Sequence, residues 1–97
     1  MSTDVRRSRR FPPDEGTMAW IDPNVHEDKD DFNPTIPALV TDEALHGCGV
    51  VTLFDDRLSV DAECMVRVGH LAPLKSQLRW VKDLNNDVRK MGVMFLE

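Results

Sequence analysis

Hydrophobic residues recur at every second position along much of this chain. The longest run is Leu58, Val60, Ala62, Cys64, Val66 and Val68. Between them stand Ser59, Asp61, Glu63, Met65 and Arg67, all polar except Met65. At the helical period these apolar residues would scatter around a cylinder, whereas at the strand period they line one face. A half-buried strand is therefore predicted. Thr17 to Asp22 reads as a shorter strand with Met18 and Trp20 on one face. Thr35 to Thr41 and Cys48 to Phe54 read as two more. Ser76 to Lys82 places Leu78 and Trp80 on one face and Gln77 and Arg79 on the other. Lys90 to Leu96 closes the series, with Met91, Val93 and Phe95 alternating with Gly92 and Met94. Both tryptophans, Trp20 and Trp80, are assigned to the core.

Turns separate these runs. Residues 23 to 34 are dominated by proline, asparagine and acids, and are predicted to be a solvated loop ended by Pro34. Gly69 to Pro73 makes another turn. Asn85-Asn86-Asp87 has hairpin chemistry, because asparagine tolerates positive φ. Six strands joined mostly by short turns, with no convincing helix, indicate an all-β fold: a closed or nearly closed six-stranded antiparallel β-barrel. Closure also removes the exposed edges that such apolar strands would otherwise present. At 97 residues the chain is one domain. Residues 17 to 97 make the barrel. Residues 1 to 16, with their arginines and Pro12-Pro13, make a flexible basic arm that cannot continue as a helix.

Charge changes the picture locally. The net charge is −5, so the mean field does not draw nucleic acid. Yet Arg6, Arg7, Arg9 and Arg10 lie within one short stretch, while Asp22 to Asp31 carries five acids against one lysine. Those acids lack the spacing and the glycine of a calcium loop. Cys48 and Cys64 show no zinc-ligand spacing and read as buried thiols in a reducing cytosol. No apolar run is long enough to span a membrane, and no hydrophobic region follows the arginines as in a secretory signal. His26 and His70 fall in predicted loops and are expected to face solvent.

One stretch stands apart: Asp42-Glu43-Ala44-Leu45-His46-Gly47, between two predicted strands. A carboxylate leads it and a glycine closes it, which points to a special backbone angle or to a close approach that a Cβ would block. With Arg6-x-x-x-Arg10 ahead of it, Asp42-x-Ala44-x-x-Gly47 within it, and Leu78-Arg79-Trp80-Val81 followed by Gly92-Val93-Met94-Phe95 near the end, the sequence resembles a PilZ domain. The family's pattern is R-x-x-x-R and then [D/N]-x-S-x-x-G. Here the gap between the motifs is slightly long, with the acidic loop as the extra length, and Ala44 stands where the family has serine.

The resemblance implies a six-stranded barrel that binds cyclic di-GMP. It places Arg6 and Arg10 across the nucleotide and Asp42, Ala44 and Gly47 on the barrel surface beneath it. Arg7, Arg9 and His46 are additional candidates. The residue types suit that ligand. Guanidinium groups fork onto phosphates, stack on purines and donate to guanine O6 and N7. A carboxylate accepts from the guanine N1–H and N2–H₂ edge. Loss of the serine hydroxyl at Ala44 costs about 1 kcal/mol, or about tenfold in affinity.

The expected function is a cytoplasmic single-domain receptor or adaptor. It would order its arm on binding the nucleotide and signal to an unidentified protein partner. No catalysis, cofactor, metal, nucleic acid or membrane insertion is expected. The alternative is a PilZ-like protein-interaction adaptor that binds no nucleotide, favoured by Ala44 and the long acidic loop.

Overall fold

The computed structural model describes residues 17–97. Six strands follow in chain order: β1 Met18–Asp22, β2 Ile36–Ala44, β3 Gly47–Leu53, β4 Glu63–Val68, β5 Leu74–Asp83 and β6 Val88–Phe95. All pairings are antiparallel, and the strands close into a barrel in the order β1-β2-β3-β6-β5-β4. The only helical piece among the described residues is a single 3₁₀ turn, Lys29–Asp31. The expected all-β barrel is thus the observed fold.

The interior follows the alternation in the sequence. Ala19 and Ile21 of β1, Ile36, Ala38 and Val40 of β2, Cys48 and Val50 of β3, Cys64 and Val66 of β4, Leu78 of β5, and Met91 and Val93 of β6 form one buried cluster. Phe95 packs against it. Fully burying a side chain of this size is worth roughly 1.5–3 kcal/mol, so the shared cluster is what holds the strands in register.

Several expectations are corrected by local geometry. The long period-2 run becomes strand only from Glu63. Before it, two tight turns fold the chain back, closed by Leu58 N–H to Asp55 C=O and Ala62 N–H to Ser59 C=O. Asp61 has φ 71°, a left-handed value that ends the extended run. Leu58 is nonetheless fully buried in the core cluster, while Val60 is half exposed. The Leu58 carbonyl accepts from Arg89 Nη1 at 2.7 Å, and the Arg89 guanidinium sits 4.3 Å from the centre of the Phe54 ring. This loop closes one end of the barrel.

The 85–87 turn forms as expected but by another route. Asn85 Oδ1 accepts from the Asp87 and Val88 amides at 2.8 and 2.9 Å, and no asparagine there has positive φ.

The 23–34 loop is less solvated than its composition suggests. Asp22 is 1% exposed and accepts from the amides of Asn24 and Asn33, each at 2.9 Å. His26 Nε2 lies 2.8 Å from its other-side partner, Asp22 Oδ2, so this histidine is tied down and does not simply face solvent. Met65, the apolar exception in the β4 pattern, pairs with Asp22 across the ladder and is buried outside the core cluster. Both residues sit on the outer side of the barrel wall, which explains why that position is apolar.

Candidate functional site

Two strands carry one residue more than their partners. In β2, Val40 pairs with Val50 and Asp42 with Gly49, so Thr41 is a bulge. In β5, Leu78 pairs with Val93 and Trp80 with Gly92, so Arg79 is a second bulge. A bulge shifts the side-chain phase by one residue. Ile36, Ala38 and Val40 point inward, and an unbroken strand would send Asp42 inward too. The bulge turns Asp42 outward instead. The same shift turns Trp80 out, away from the face of Leu78. Trp80 is therefore not core, as its spacing from Leu78 suggested; it is 44% exposed. Trp20 also lies outside the core cluster, half-buried on the outer face beside Met18.

Asp42 and Trp80 are brought to one side of the barrel by consecutive pairings. Asp42 opposes Gly49, Gly49 opposes Gly92, and Gly92 opposes Trp80. Both glycines are seats. A Cβ on Gly49 would run into Asp42 Oδ1, and a Cβ on Gly92 would run into the Trp80 indole. The carboxylate and the ring thus lie flat against the two middle strands. A shallow cleft of about 410 Å³ opens here, lined by Ala44, His46, Gly47, Gly49, Arg79 and Trp80 among others. That volume falls within the ~300–1,000 Å³ typical of small-molecule sites.

The hairpin between β2 and β3 frames one end of the cleft. Ala44 pairs with Gly47, and Leu45-His46 makes the turn. Gly47 does not use positive φ; of the two explanations its position suggested, close approach is the operative one. A Cβ there would overlap the Val93 carbonyl oxygen. His46 is exposed at the turn, and its carbonyl accepts from the Phe95 amide at 2.8 Å. Ala44 faces the cleft with a methyl group and offers no hydrogen bond. Among the described residues, Arg79 makes two long side-chain contacts, 3.5 Å to Gln77 Oε1 and 3.8 Å to Met94 Sδ, which leaves its guanidinium able to turn toward a ligand.

Beneath the cleft, Cys48 is buried, and its thiol is pushed up to about 12 by burial first, then by the Glu43 and Asp42 carboxylates. Cys64 is likewise pushed up to about 12, mainly by burial. Both stay protonated at neutral pH and act as small apolar groups. Among the described residues, no three His, Cys, Asp or Glu side chains gather as metal ligands would. No helix among them is long and apolar enough to cross a membrane.

Of the residues anticipated from sequence, Ala44, His46 and Gly47 line this cleft, and Asp42 lies beside it against Gly49. Arg6, Arg7, Arg9 and Arg10 lie outside the described residues. Arg79, Trp80, Gly49 and Gly92 line the cleft and were not anticipated as site residues. The available signal was glycine at outward positions of two adjacent strands, where a side chain is normally present to pack. No protein-family model, curated protein or solved structure matches this chain.

Proposed function

We propose that this protein is a cytoplasmic receptor for cyclic di-GMP, working as a single PilZ-like domain that signals to a protein partner without catalysis or cofactor. The supporting observation is the pair of bulges that turn Asp42 and Trp80 outward onto two opposed glycines, Trp80 lining the cleft and Asp42 at its side. An aromatic plane, a carboxylate and a guanidinium on one shallow surface match a guanine base carrying phosphate. The indole stacks the base, a contact worth about 1–3 kcal/mol per base in single-stranded complexes. Asp42 accepts from the guanine N1–H and N2–H₂ edge, and Arg79 reaches a phosphate or the guanine O6/N7 edge. Arg6 and Arg10 supply the remaining cationic groups in this reading and close over the ligand. Drawing them in is the conformational change that a partner senses.

The second reading, an adaptor without nucleotide, is favoured by the Ala44 methyl where a hydroxyl would serve a ligand. Calorimetric titration with cyclic di-GMP separates the two. Saturable binding is expected, weakened at least about tenfold by Arg6→Ala and by Arg10→Ala, since each removes a charge-assisted contact. Binding that survives both substitutions would refute the arginine placement. Absence of heat and of amide shifts at high micromolar nucleotide would leave the adaptor.

A further inference from the structure

Immediately beside the cleft, the next row of outward residues has a different character. Met18 pairs with Leu39, Leu39 with Val51, Val51 with Lys90 and Lys90 with Lys82. One continuous row therefore crosses five strands, apolar at one end and basic at the other. Leu53 and Val88, themselves paired, widen the apolar surface beside Val51 and Lys90. Leu39 is 46% and Leu53 70% exposed, and a groove of about 240 Å³ runs between Met18, Pro37, Leu39, Val51, Leu53 and Val88. Single exposed apolar residues are ordinary, but a contiguous row with a groove along it marks a contact surface.

The lysines indicate what covers it. Lys82 and Lys90 are directly opposed across the β5–β6 ladder, an arrangement that disfavours folding through like-charge repulsion. Neither forms an ion pair among the described residues, whereas Lys29, Lys75, Arg57 and Arg89 all do. In a chain of net charge −5, two lysines without an ion pair among the described residues, the nearer one opposite Val51 of the apolar groove, call for carboxylates from outside. A second copy packed about a two-fold axis at the row's centre would bring these lysines toward the Met18 end. There Trp20 pairs with Arg67, another cation, so the surface is not self-complementary. Because the barrel is closed, the row curves with its wall, so a straight partner helix meets its middle, from Leu39 through Val51 to Lys90, with its ends reaching past either side.

We infer that this row is the docking surface for a partner protein, and that it takes an amphipathic helix with an apolar stripe and carboxylates in one terminal turn. The helix lies against the cleft's edge, because Gly49 and Val51, Gly92 and Lys90, and Trp80 and Lys82 are successive outward residues on three shared strands. A ligand in the cleft becomes part of what the partner touches. The inference deepens the adaptor element of the proposed function and does not require that the cleft binds nucleotide.

The test uses the full chain without nucleotide. The probe is a fluorescent helical peptide with leucines at i, i+4, i+7 and i+11 and glutamates in its last turn, compared with a scrambled isomer. Saturable anisotropy is expected, with amide shifts confined to the neighbourhood of Met18, Leu39, Val51, Leu53, Val88 and Lys90. The double charge reversal Lys82→Glu/Lys90→Glu should weaken binding at least about tenfold, and a peptide with lysines in place of its glutamates should recover it. Leu39→Ser should also weaken binding, with an unchanged amide spectrum elsewhere showing that the barrel is intact. Equal binding of the scrambled isomer, or no shifts with the peptide, overturns the proposal. So does concentration-dependent self-association that maps to this row, which would give the groove to a second copy. Phosphatidylserine vesicles that shift this row while the peptide does not would give it to a membrane surface.

Discussion

The barrel has two polar regions, the clasp at Asp22 and the cleft at Asp42, and they use their carboxylates in opposite ways. At the clasp, a nearly fully buried acid accepts from two amides and a histidine, and every contact holds the 23–34 loop onto the wall. At the cleft, a bulge spends one residue of strand to turn an acid outward, and a second bulge does the same for an indole. One region uses its carboxylate to complete the fold, and the other sets an acid and an indole on the outer face of the wall against glycines. The candidate site in this chain therefore lies where the strand pattern breaks, because an unbroken pattern serves only the core.

The largest effect is expected where the cleft itself depends on backbone packing. Gly47→Ala puts a methyl group against the Val93 carbonyl, part of a neighbouring strand that cannot move without disturbing the core. A loss of about 3 kcal/mol is expected, at the upper end of overpacking effects, read as a lower urea midpoint with an unchanged slope. A midpoint within error of wild type would mean that the hairpin relaxes freely, and the cleft would then lack a rigid end.

The clasp should show an intermediate effect with a characteristic pH dependence. Burial alone would raise the Asp22 carboxyl. The amides of Asn33 and Asn24 and the His26 ring outweigh it and hold the group below its ordinary 3.8. A group depressed by folding contributes stability that is fully present above its unfolded value and is lost as pH falls through the lower, folded one. Asp22→Asn should therefore cost about 1–3 kcal/mol at neutral pH, the range for disrupting a buried hydrogen-bonded group. The gap between variant and wild type should stay constant down to the ordinary carboxylate range and narrow below it. A gap that widens in acid would show that the carboxylate is not the organising charge of the loop.

How much of this was legible in the sequence follows from the same physics. The inward sets of β4 and β6 are readable because period-2 alternation and burial coincide there, as with Cys64 and Val66 and with Met91, Val93 and Phe95, whereas in β1 the large Trp20 points to the wrong face and the small Ala19 goes inside with Ile21. Asp42 and Gly47 stood out because an acid and a glycine are poor residues for a strand interior. Trp80 was misplaced because alternation assumes one residue per pairing, and nothing local marks Arg79 as the extra one. The start of β4 was misplaced for a related reason: Leu58 and Val60 continue the apolar count, but Asp61 takes a left-handed φ that the pattern does not encode. The composition around His26 points to solvent, because its partner, Asp22, is sealed by the fold of the loop.

The smallest effect on stability should belong to the residue on which the proposed ligand contact depends most. Trp80 is 44% exposed, lies outside the core cluster and rests on Gly92. Trp80→Ala removes part of a surface contact and leaves no internal cavity, so it should change stability by no more than about 1 kcal/mol. Its effect on cyclic di-GMP affinity should be larger, about tenfold or more, because base stacking is lost. Gly92→Ala offers an independent version of the same experiment. Unlike the Val93 carbonyl beside Gly47, the neighbour here is a side chain that can swing away. The fold should survive while the ring leaves its seat, seen as a shift in Trp80 emission in a Trp20→Phe background. If Trp80→Ala instead unfolded the protein and left nucleotide binding per folded molecule unchanged, the indole would belong with the Asp22 clasp, as a residue that completes the barrel.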